Sequence, residues 1–115
     1  MANPTSVPRV IRQGEDVVFE LPITLFGVEE VDLTGTSARF GLILKPATES
    51  RTNALTQSGT IVAGDIDVFK FEISDNDTDS LDIGEYVYNI EYTKATKKYI
   101  VKSGVLEVRR GVFSA

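Results

Sequence analysis

The residues best arranged to do chemistry are Asp75-Asn76-Asp77-Thr78-Asp79-Ser80, whose carboxylates alternate as D-x-D-x-D. Calcium takes about six to eight hard oxygen ligands, and calcium loops supply them from alternate residues. Two requirements of an EF-hand loop fail. Ser80 stands where the sharp turn needs a glycine, and Tyr86 stands where a bidentate glutamate belongs. A capped turn or single helical turn accounts for the run more simply, with Ser74 or Asp75 as its cap and acids favoured in its first turn. Leu81 would anchor that turn to the core. No metal ligand is assigned.

Catalytic residues are equally hard to place. The chain has no histidine and no cysteine, which removes the commonest general base, the commonest metal ligand and the thiolate nucleophile. The lysines Lys94, Lys97, Lys98 and Lys102 form a charged cluster expected to be solvated, and the acids fall on wet faces and turns. No phosphate loop, dinucleotide fingerprint or zinc spacing is present. The expectation is a non-enzymatic protein with no catalytic residue, no cofactor and no small-molecule substrate.

A chain of 115 residues has room for one domain, and its 42 % hydrophobic content lies above the range of disordered chains. The net charge of −5 argues against nucleic acid as the main partner. No apolar run approaches the roughly 20 residues of a membrane span, and the start MANPTSVPR lacks the apolar core of a secretory signal. A soluble protein made in a cytoplasm, without membrane contact, is expected.

The elements that would carry any site have period two. Val17, Phe19, Leu21, Ile23 and Leu25 alternate with Asp16, Val18, Glu20, Pro22 and Thr24, which predicts a strand from Asp16 to Phe26 with one buried and one wet face. Pro22, on the wet set, cannot donate to a ladder and marks an edge or a bulge. The same alternation places Ala38, Phe40, Leu42 and Leu44 inside, then Phe69, Phe71 and Ile73, then Tyr86, Tyr88, Ile90 and Tyr92. From Tyr99 to Val108 both sets are apolar in places, as in a central strand or one covered on both faces. A weaker strand is expected from Leu55 to Val62 and a loop from Pro46 to Asn53. Turn signals lie at Thr34-Gly35, Ser58-Gly59, Gly64-Asp65 and Lys94 to Lys98. About seven short strands at roughly ten-residue spacing predict an all-β antiparallel sandwich, with a partly closed barrel as the alternative the spacing leaves open.

Residues 1–8 read as a flexible N-terminal arm, followed by a single domain over residues 9–115, with Val10 to Gln13 as a candidate edge strand after the arm. Charge is uneven along the chain. Residues 65 to 91 hold nine acids and one base, while residues 94 to 110 hold six bases and one acid. Neighbouring strands could pair these charges, or an acidic surface could meet a basic one on the next copy in a head-to-tail homo-oligomer.

The segment Leu81-Asp82-Ile83-Gly84-Glu85-Tyr86-Val87-Tyr88 has the form L-D-x-G-x-Y-x-Y. Immunoglobulin-like domains carry such a motif before a central strand, where the tyrosine hydroxyl bonds back to upstream backbone. Tyr88 then stands where antibody domains have a cysteine.

Three motifs occur in order: I-R-Q-G-E-D at Ile11 to Asp16, V-D-L-T-G at Val31 to Gly35, and L-x-x-G-x-Y-x-Y-x-I-E at Leu81 to Glu91. A closing strand with Gly104-Val105-Leu106 follows. This order resembles the immunoglobulin-like N-terminal domain of tailed-phage baseplate upper proteins and related small phage tail proteins, over roughly residues 9 to 108. The resemblance implies an immunoglobulin-like β-sandwich acting as a structural or adaptor protein of a tailed-phage virion, in tail, baseplate, neck or capsid decoration. Its partners would be other virion proteins and further copies of itself. Larger members continue into a second region that is not expected here. Because the family's contacts are not tied to a residue motif, no binding residue carries over. A carbohydrate- or cell-surface-binding module is the alternative, weakened by the lack of tryptophan and by tyrosines placed on the buried set. A third reading is an adhesion-type sandwich adding a strand at an open edge near Val17 to Leu25.

Overall fold

Alternation becomes structure wherever a run of β-branched and aromatic residues can bury one face. In the computed structural model, which describes residues 4–44 and 55–111, ten strands and one short helix form. In chain order they are β1 (Val10–Arg12), β2 (Val17–Leu21), β3 (Ile23–Leu25), β4 (Val28–Glu30), β5 (Ser37–Leu44), β6 (Leu55–Ser58), β7 (Thr60–Val62), β8 (Val68–Ile73), α1 (Asp75–Asp79), β9 (Gly84–Lys94) and β10 (Lys97–Arg109). The strands make a five-stranded sheet in the order β1-β10-β9-β5-β6, a three-stranded sheet β2-β8-β7 and a hairpin β3-β4. The chain is all-β, as its alternation requires.

The residues read as inward-facing are the core. Phe19, Phe40, Phe71, Ile73, Ile90 and Tyr92 are buried, with Leu42, Phe69 and Tyr86. Phe19 on the small sheet meets Phe40 on the large one edge-on at 5.5 Å and stacks on Phe71 at 5.3 Å, so the two sheets face each other across an aromatic layer. The predicted loop from Pro46 to Asn53 lies outside the described residues.

Among the described residues ten strands appear where about seven were expected, because β4 was not foreseen and two predicted runs change partners midway. Pro22 ends β2, which pairs with β8, and β3 then pairs with β4. The inward alternation continues through Ile23, but a residue without N–H cannot carry the ladder across. Gly59 divides the Leu55 to Val62 run likewise: β6 pairs with β5 and β7 with β8. The Gly59 N–H donates to Ala38 O at 2.9 Å, and a Cβ there would sit 3.0 Å from the Phe71 ring.

One pairing departs from an all-antiparallel sandwich, because β1 runs parallel to β10. The double apolar character of Tyr99 to Val108 also has a local cause. A bulge between Ile100 and Lys102 shifts the register, so Tyr99 lies opposite Tyr92 before it and Leu106 opposite Tyr86 after it. The inward parity changes from odd to even, leaving Ile100 and Val105 exposed. In the described part of the arm, Val7 is buried and Pro4 O accepts the Glu20 N–H at 2.8 Å. The arm therefore crosses from the outer edge of β2 toward β1.

Candidate interaction surface

Strand direction decides which connections meet. β2 ends at Leu21 opposite Phe69 near the start of β8, and β5 starts at Ser37 opposite Thr93 near the end of β9. The segments 22–36, 63–67 and 94–98 therefore share one end of the sandwich, and segments 13–16 and 74–83 share the other. Of the large apolar side chains left exposed, Phe26, Val28, Val31 and Ile66 all belong to the first end, and Ile100 stands on β10 just below it. Scattered exposed apolar residues are normal, so a group at one end of a domain is a candidate contact surface.

Phe26 is the most exposed of them, at 84 %. It occupies the tip of the β3–β4 hairpin, where Leu25 faces Val28 across a two-residue turn. Both turn residues have positive φ, Phe26 at 53° and Gly27 at 77°, as a type I′ turn demands. Gly27 meets that demand without strain. Phenylalanine does not; asparagine would turn the chain at lower cost and show water no ring. Non-glycine residues in this region cluster at binding and switch sites.

The hairpin is fastened. The Phe26 ring stands edge-on to Tyr99 at 5.6 Å, and Lys94 Nζ donates to Glu30 Oε1 at 2.7 Å. That bond, and then the Glu30 charge, raise the Lys94 pKa above its ordinary value, with smaller contributions from Tyr92 and Tyr99. The β9–β10 turn beside it, Ala95-Thr96, also has positive φ at two non-glycine residues, 51° and 66°. Asp67 ties the other loops together: it accepts from Leu33 N at 3.0 Å and Gly64 N at 3.2 Å, while its own N–H donates to Val31 O at 2.9 Å. Leu33 is fully buried beneath. Asp32 accepts from Thr34 N at 3.0 Å, and that bond, with a further one to the Thr34 side chain, lowers its pKa.

The other features singled out in the sequence are structural. The aspartate run forms α1, with Ser74 as N-cap accepting from Asp77 N at 3.3 Å. Asp75 Oδ1 accepts from Asn76 N, Asp16 Oδ1 from Asp75 N, and Thr78 Oγ1 donates to Glu15 O at 2.7 Å. Leu81 is buried below the helix. Among the described residues no group of three or more acids is arranged to hold a metal ion. Tyr86 is buried and its hydroxyl donates to Asp82 O at 2.7 Å, pinning the chain as it enters β9. Burial and the nearby Asp82 charge push the Tyr86 pKa up against that bond. Tyr88 packs over Gly104, where a Cβ would lie 2.8 Å from the ring.

The basic run from 94 to 110 makes no single basic face. Strand β10 carries it the length of the sheet, with Lys97 and Lys98 at the hairpin end and Arg109 at the other. Ion pairs form locally, as in Arg39–Glu91 at 3.0 Å, Lys94–Glu30 and Arg109–Glu107 at 2.9 Å. Phe26 was missed by periodicity, which assigns it to the end of one long strand. The readable signal was Phe26-Gly27 between two apolar-alternating segments, the spacing of a two-residue hairpin turn. Comparison with known proteins finds no matching family model and no matching curated protein.

Proposed function

We propose that this chain is a non-enzymatic structural or adaptor component of a tailed-phage virion, working through subunit contacts made at the hairpin end of the sandwich. The observation that carries the reading is Phe26, an exposed aromatic held in an unfavourable backbone conformation among further exposed apolar residues. A side chain that costs stability and gains little burial in the isolated chain makes sense as an anchor for a neighbour. The motif order from Ile11 to Glu91 supports a place in the tail, baseplate, neck or capsid decoration. An immunoglobulin-like arrangement is supported by the strand orders β2-β8-β7 and β5-β9-β10, which match B-E-D and C-F-G, and by the Tyr86–Asp82 bond.

A sugar-binding module is favoured less, because the rings of Tyr86, Tyr88 and Tyr92 are buried and offer no platform. Strand addition at β2 is favoured less as well, because the arm already bonds that edge at Glu20. The test is mass spectrometry of purified particles from the phage that encodes the sequence. The protein should be present at a fixed ratio to the tail or capsid subunits, and Phe26→Asn should lower its incorporation. Recovery only from the soluble fraction of infected cells, with none in particles, would sink the virion reading.

A further inference from the structure

The same molecule that offers Phe26 also offers a place to put it. A groove of about 240 Å³ lies between the N-terminal arm and the outer edge of β2, lined by Pro4, Pro8, Val10, Val17 and Val18. A cavity of roughly 150 Å³ is enough for a benzene ring. The groove runs along the half of β2 that starts at Val17, opposite Ile73, away from the hairpin end. Knob and groove therefore lie apart on one chain and cannot satisfy each other.

Opposite charges stand beside knob and groove, with Glu29 an exposed acid on the hairpin as well. Lys97 lies directly opposite Lys94 across the β9–β10 turn, so it projects on the same side as Tyr99, against which Phe26 rests. Both Lys97 and Lys98 are exposed. The groove is rimmed by Glu15 and Asp16, each held in place by a backbone N–H: Glu15 Oε1 accepts from Arg12 N at 2.7 Å and Asp16 Oδ1 from Asp75 N at 2.8 Å.

We infer that the occupant of the arm groove is Phe26 of a second copy of this chain, in a head-to-tail contact with Lys97 of the knob facing Glu15 and Asp16 of the groove. The contact is heterologous, so each pair keeps one knob and one groove free for further copies, and repetition yields a ring or an open filament. This inference rests on the reading of the hairpin end as a contact surface, and adds the identity of the partner.

Sedimentation velocity of the purified protein from about 1 μM to about 1 mM reads it directly. Wild type should associate, and association should weaken as salt rises from about 0.05 M to about 0.5 M. Phe26→Asn suits the turn better than phenylalanine, so the fold is kept, and it should weaken association at least about tenfold. Val18→Arg, a change on the outer face of β2, should do the same by filling the groove and repelling Lys97. Mixing the two variants decides the geometry. Phe26→Asn retains a groove and Val18→Arg retains a knob, so together they should form a one-to-one complex that neither forms alone. A Phe26→Asn protein that associates like wild type, or a mixture that stays monomeric, overturns the inference. So does wild type that stays monomeric throughout, although the virion reading would survive with another particle protein as partner. Self-association in a protein missing from particles would have the reverse meaning.

Discussion

Replacing Tyr92 with phenylalanine should make this protein more stable. The Tyr92 side chain is fully buried on β9, its ring packed edge-on against Phe69 at 6.2 Å, and its hydroxyl has no hydrogen-bond partner among the described residues. In the unfolded chain that hydroxyl bonds to water. A buried polar group left without a partner costs about 1–3 kcal/mol, whereas the oxygen's dispersion contacts return about 0.1–0.2 kcal/mol each. Phenylalanine keeps the ring, its burial and the contact with Phe69, and removes only the orphaned group. A net gain of about 1 kcal/mol follows, which for a domain of this size raises Tm by roughly 4 °C. Urea denaturation followed by circular dichroism should show a higher midpoint with an unchanged slope. Tyr86→Phe is the internal control, since the same atom is deleted but there it donates to Asp82 O at 2.7 Å. That change should cost about 1 kcal/mol. If Tyr92→Phe proved less stable than wild type by about 0.5 kcal/mol or more, the hydroxyl would have to be satisfied in the folded protein and the argument would fail.

Gly59→Ala should destabilise by about 1–3 kcal/mol, because its Cβ would meet the Phe71 ring at 3.0 Å and Phe69 Cβ at 3.2 Å; a midpoint equal to wild type would mean that these rings yield. Asp67→Ala removes the carboxylate that accepts from both Leu33 N and Gly64 N, and should cost about 1–2 kcal/mol while speeding amide exchange at Leu33; unchanged exchange there would count against Asp67 as the tie between the loops. Stability should be flat between about pH 5 and pH 9, since no histidine titrates, and should fall outside it. The Thr34 bonds depress Asp32 and the Arg109 bond depresses Glu107 from ordinary values of 3.8 and 4.5, so their contributions hold above those values and vanish as pH falls through the lowered ones. Lys94 is raised from 10.5 by Glu30, so its contribution holds below that value and is lost as pH climbs through the raised one. A Tm peak inside the flat window would contradict this account.

Much of the architecture was legible because period two is a local property. Phe19, Phe40, Phe71 and Ile90 could be assigned to the interior from their neighbours alone, and the structure buries each of them. The capped turn at Ser74 and the backward bond of Tyr86 were legible for the same reason: each is closed within four residues of its own sequence. Pro22 and Gly59 were visible as interruptions. That each moves the chain to a new partner was not, because a pairing partner is a distant segment and leaves no mark on the strand that receives it.

The candidate contact surface divides along the same line. Composition and alternation determined an all-β domain with a core of phenylalanine and tyrosine, and they left no histidine or cysteine for chemistry. Only the tertiary structure gathered Phe26, Val28, Val31 and Ile66 at one end, split the basic run of β10 between both ends, and opened a groove where the arm crosses β2. Side-chain direction along a strand follows from covalent geometry and needs no knowledge of the rest of the chain. Which loops share an end depends on strand order and direction, and those are set by packing between residues far apart in sequence.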